Sequence, residues 1–157
     1  MSIKLSRGYK AALLGGGLVV LSFFLPWTGV SGEGWSRSMS GWELAAGLRV
    51  LGETVVPGKS VLFLVLLANL GVLALAFLTW QRGRVSRLRD GFGVTILAVV
   101  SLLVFLTSFW GGEIRFYLQG EAHTLYMVDT LLGLWAVLLG HIVVIAGGAL
   151  SLRRSRG

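Results

Sequence analysis

The 157 residues include 14 Lys and Arg against 7 Asp and Glu, 23 Gly and no Cys; 55% are apolar, 13% are charged, and the mean hydropathy is +0.80. A soluble domain carries roughly 25% charged residues and about 7% Gly, so a water-soluble globular domain and a disordered chain are both excluded. Without Cys there is no disulfide scaffold, thiolate metal site, iron–sulfur cluster or Cys nucleophile, and the length allows a single domain, residues 1–157.

In chain order, Lys4, Arg7 and Lys10 precede a first apolar run over about 11–27. A bilayer core about 30 Å thick takes about 20 apolar residues of helix, and this run reads as a membrane span. Its charged start could also open a signal peptide, but the run is long for a signal core and ends in Pro26-Trp27, which reads as an interfacial stop. The first outer loop, about 28–60, is Gly- and Ser-rich as far as Met39. Ser40-Gly41-Trp42-Glu43 then has the spacing of a capping box. A helix-compatible stretch follows to Leu51, with Gly52 as its stop, so a short interfacial helix anchored by Trp42 is expected there.

The second span is expected at about 61–80, the third at about 91–110 and the fourth at about 131–152, none with a charge in its interior. The link at about 81–90 holds Arg82, Arg84, Arg87 and Arg89. It is read as a topology anchor of a tight helical hairpin, with no nucleic-acid partner. The second outer loop, about 111–130, holds Glu121, His123 and Asp129, which could ligate a divalent metal or serve acid–base chemistry. Their spacing matches no metal or catalytic motif, and the reading is a solvated loop. Trp27, Trp80 and Trp110 stand at segment ends and Trp42 in the first outer loop, all four as interfacial anchors.

Ten of the 14 cations fall in the N-terminal segment, the 81–90 link and the tail, whereas six of the seven acids fall in the other loops. Cations mark the cytoplasmic side, so both termini are expected there. At 1.5 Å per residue, Asn69, Ser101 and His141 lie roughly 12, 14 and 15 Å from the outer ends of their helices. Three helices thus offer a hydrogen-bonding side chain near mid-membrane. Such a layer is either polar glue between helices or a pocket for a ligand or a proton. A haem on His141 would need its second axial ligand from elsewhere. Gly133, Gly140 and Gly147 recur every seven residues, and Ala12-x-x-x-Gly16 and Ala136-x-x-x-Gly140 are small pairs, so close helix packing is expected.

The sequence has no Gly-x-x-x-x-Gly-Lys loop, Gly-x-Ser-x-Gly elbow or His-Glu-x-x-His. Phe23-Phe24-Leu25-Pro26-Trp27, a Gly/Ser loop and Ser40-Gly41-Trp42-Glu43-Leu44 resemble small four-helix bacterial membrane proteins of unassigned activity. The resemblance covers about the first 50 residues and implies a fold and a bacterial origin. Claudin-like proteins share the layout of cytoplasmic termini and a larger first outer loop, but their paired Cys are absent.

The expectation is an all-α membrane protein: a four-helix antiparallel transmembrane bundle in a bacterial inner membrane, without catalytic residues or a cofactor other than bound lipid. It is expected to act as an accessory subunit that packs against other membrane subunits. The alternative is a homo-oligomeric channel or small-solute transporter built on the mid-membrane layer.

Overall fold

The structure is a computed structural model and describes residues 7–32, 35–50, 53–56, 58–82, 87–109, 113–118, 121–126 and 129–153. It is mostly helical. The helices are α1 (Arg7–Ser22), α2 (Gly41–Ala46), α3 (Phe63–Arg82), α4 (Arg87–Phe109) and α5 (Leu132–Arg153), with a 3-10 turn at Ser60–Leu62 leading into α3. Three stretches, Ser60–Gln81, Gly91–Ser108 and Leu132–Leu152, are long and apolar enough to cross a membrane.

The first expected span is not among these. With 16 residues, α1 is about 24 Å long, and it lies four or five residues earlier than expected. Pro26 sets its end. Proline has no N–H and pushes the residue before it out of the helical region. The chain accordingly tightens, with Phe24 N–H donating to the Leu21 carbonyl and Leu25 N–H to that of Ser22, before it extends.

Each long helix packs against two others, in the cyclic order α1, α3, α4, α5. Neighbours run in opposite directions. Gly8 meets Gly147 and Gly15 meets Gly140 across α1 and α5, while Gly71 meets Leu97 and Gly93 meets Leu75 across α3 and α4. Inward positions repeat at alternating spacings of three and four: Leu62 of the 3-10 turn followed by Val65, Asn69, Val72, Ala76 and Thr79 on α3, and Val94, Ala98, Ser101 and Phe105 on α4. That period holds one stripe of each helix on the shared seam. The outward stripes are equally apolar, with Leu14, Leu18, Leu67, Leu70, Val100, Leu103, Leu139 and Ile142 all exposed. Both faces of a helix are apolar when lipid replaces water outside.

The segments expected as loops are largely strands, which corrects the all-α expectation. Strands β1 (Pro26–Gly32), β2 (Trp35–Ser40) and β7 (Asp129–Thr130) form an antiparallel sheet in the order β2-β1-β7. Two hairpins accompany it: β3 (Leu48–Val50) with β4 (Glu53–Val56), and β5 (Glu113–Leu118) with β6 (Glu121–Tyr126). In β5, Ile114, Phe116 and Leu118 alternate with Glu113, Arg115 and Tyr117, and Gln119-Gly120 separates the strands. That is a readable hairpin signal.

The capping box forms as its spacing predicts. Ser40 Oγ accepts from the Glu43 amide at 3.2 Å, and Glu43 Oε2 accepts from the Ser40 amide at 2.9 Å. The helix stops at Ala46 rather than near Leu51, because Gly47 takes φ +84°, a region that L side chains avoid. A Cβ there would also lie 2.8 Å from the Val56 carbonyl oxygen. The chain turns at Gly47 and continues as β3.

Candidate functional site

Two apolar clusters fill the seam. One gathers Val19, Phe23, Trp27, Met39, Leu44, Val65, Phe105 and Val137 beside the strands, and the other gathers Ala12, Val72, Val94, Ala98 and Val144. Asn69, Ser101 and His141 lie between them, because each follows the seam repeat one step beyond a residue of the first cluster: Val65, Phe105 and Val137, respectively. The structure brings all three side chains together.

Their hydrogen bonds have one consistent direction. His141 Nδ1 lies 2.8 Å from the Val137 carbonyl oxygen. That oxygen can only accept, so Nδ1 carries the proton and Nε2 is the bare nitrogen. Nε2 accepts from Ser101 Oγ at 2.8 Å, and Ser101 Oγ accepts from Asn69 Nδ2 at 2.9 Å. The second Nδ2 hydrogen goes to the Val65 carbonyl at 2.9 Å, which fixes the orientation of the amide. Phe105 lies over the imidazole with ring centroids 6.3 Å apart. Asn69 Oδ1 is buried without a hydrogen-bond partner.

Ser101 and His141 have the spacing of a nucleophile and its base. They are 1% and 0% exposed, and Nδ1 is turned to a helix carbonyl rather than to a carboxylate that would stabilise an imidazolium. What the arrangement can do is tie three helices at one level. The carbonyls of Val65 and Val137 and the ring of Phe105 complete it. None of these is marked by residue type, but the spacing of three and four around Asn69, Ser101 and His141 would have found them.

The residues expected in the second outer loop are not gathered in the same way. Glu121 and His123 occupy alternate positions of β6, opposite Leu118 and Phe116. Asp129 is in a different sheet, in register with Gly29 of β1. The side chains of all three lie outside the described residues, as does Trp110.

Gly133, Gly140 and Gly147 line the α5 face toward α1 and β1. A Cβ on Gly133 would lie 2.5 Å from the Pro26 carbonyl oxygen, one on Gly140 2.9 Å from that of Gly15, and one on Gly147 2.6 Å from that of Gly8. The α1 side of the contact is Gly8, Ala12 and Gly15, whose seven-residue spacing matches that of α5. Gly16, expected to pair with Ala12, faces Val72 and Leu73 of α3 instead.

Trp27 is corrected from interfacial anchor to core. It is 0% exposed, its Nε1–H donates to the Ser22 carbonyl at 2.7 Å, and its ring meets Phe23 and Phe105 edge to face. Gly41 and Gly133 make room for the indole. Trp42 and Trp80 are each about half exposed, and Trp42 stacks on Phe24 at 5.8 Å. Lys59 Nζ donates to the Ser108 carbonyl at 3.1 Å, meeting the negative end of α4. The chain matches no known protein family, no curated protein and no solved structure.

Proposed function

We propose that the chain is a non-enzymatic accessory subunit of a larger bacterial membrane complex. It stands in the inner membrane as an antiparallel four-helix transmembrane bundle, with both termini cytoplasmic and α2 lying in the outer interface. One observation carries this reading. The Asn69–Ser101–His141 layer turns inward, bonded from helix to helix and to carbonyls of its own helices, while the outward stripes of all four long helices are apolar.

A helix bundle so built has apolar packing surface to offer a neighbour, while its Gly-rich faces are already used in the α1–α5 contact. A water path between copies of the chain would find no polar lining along the middle of the described helices, so the observation favours the subunit reading over a homo-oligomeric channel.

The test is native mass spectrometry of the protein extracted gently from its own membranes. Masses of other polypeptides added to the 16.9 kDa chain are expected. A lone monomer, or integer multiples of the chain mass alone, would overturn the subunit reading.

A further inference from the structure

One end of the helix cluster gathers charge from every long helix. Gly8 of α1 and Gly91 of α4 both lie against Ser151, close to the end of α5. The same end receives the last residue of α3 and the first turn of α4. The backbone therefore brings together Arg7 and Lys10 of α1, Arg82 of α3, Arg87 and Arg89 of α4, and Arg153 of α5. Asp90 is the single acid in those same turns.

Arg7 and Lys10 are exposed. The ion pair Arg37–Glu43 belongs to the strand-bearing end of the cluster. Gly8, Gly91 and Ser151 draw three helix ends together where the basic positions are densest, so the backbone sets like-charged residues at one end of the cluster rather than spreading them. Such crowding is unfavourable unless an anion shares the site. The same helices expose Leu14, Phe92, Ile96 and Leu150, which gives the anion's surroundings an apolar side.

We propose that this end binds the phosphate of an acidic phospholipid, with the acyl chains along the apolar faces of α1, α4 and α5. Basic clusters at helix ends hold lipid head groups in this way. The proposal rests on the bundle standing in a bilayer. Lipid and polypeptide partners give different mass increments, so either reading can fail without the other.

The test is native mass spectrometry of the detergent-extracted full chain, titrated with phosphatidylglycerol or with phosphatidylcholine carrying the same acyl chains. Phosphatidylglycerol adducts are expected at lipid ratios where phosphatidylcholine leaves none. In the Arg7→Gln/Lys10→Gln variant, apparent affinity should fall by about fivefold per cation removed, and Arg115→Gln in β5 should leave it unchanged. Equal retention of both lipids, or undiminished retention in the double variant, would overturn the proposal. Displacement of the lipid by an equal concentration of inorganic phosphate would do the same. Should the double variant fail to fold, the unaltered chain decides. Adducts that weaken steeply with added salt support the site, and adducts indifferent to salt overturn it.

Discussion

Ser101 is the residue on which the buried layer turns, because it accepts from Asn69 and donates to His141. Ser101→Ala should leave a buried amide hydrogen and a bare imidazole nitrogen with only their own 3.5 Å approach in place of two shorter bonds, at a cost of about 1–2 kcal/mol. Chemical or thermal unfolding in detergent measures it. The triple change Asn69→Leu/Ser101→Ala/His141→Leu removes every partner together. Its cost should be well below the sum of the single costs, since replacing all the polar groups by apolar ones leaves nothing orphaned. Nitrogen-15 NMR of labelled histidine should report His141 as the neutral Nδ1–H tautomer. A proton on Nε2 would contradict the hydrogen-bond direction.

Among the elements, the α1–α5 contact is the tightest and the most easily broken. A Cβ at Gly15 would lie 2.6 Å from the Gly140 carbonyl oxygen, whereas nothing lies within 4 Å of one at Gly17. Gly15→Ala should therefore destabilise by about 1–3 kcal/mol through overpacking, while Gly17→Ala should be neutral or stabilising by up to about 1 kcal/mol from helix propensity. Unfolding of the two variants side by side tests the pair.

In α2, partial burial of Glu43 works to raise its carboxyl pKa. The Ser40 amide and the Arg37 guanidinium outweigh that and hold it below the ordinary 4.5. A depressed carboxyl contributes stability that is complete above its ordinary value and is lost as pH falls through the folded value. Protection of the amides over 41–46, taken relative to their intrinsic exchange rate at each pH, should accordingly fall as pH drops below 4.5, with α5 unaffected, and Ser40→Ala should weaken the same helix by about 1 kcal/mol at neutral pH.

For the whole molecule, the absence of Cys makes orientation directly measurable. Single cysteines introduced at Ser2 and Ser155 should react with a membrane-impermeant maleimide only after the inner leaflet is opened, and labelling of either in intact cells would reverse the proposed topology. The three long apolar helices were legible because a run without charge needs no partner to be recognised. The depth match of Asn69, Ser101 and His141 was legible for a related reason: rise per residue along a helix is constant, so sequence position converts directly to depth. The α1 boundary was not, because Trp27 reads the same at an interface as in a core, and only the packing of Phe23, Phe105, Gly41 and Gly133 around it decides. The hairpins β1–β2, β3–β4 and β5–β6 join neighbouring segments and β5–β6 carries a readable alternation, whereas the pairing of β1 with β7, about 100 residues away, leaves no local signal.

What the sequence determined by itself was therefore whatever depends on composition and one-dimensional period: a membrane-class chain, the apolar runs, the capping box and the level of the polar side chains. The tertiary structure alone decided which faces meet. It paired Gly8 and Gly15 with Gly147 and Gly140, turned Trp27 inward, and joined His141 Nε2 to Ser101. Each of these depends on atoms brought together from distant positions, and local spacing carries no record of that.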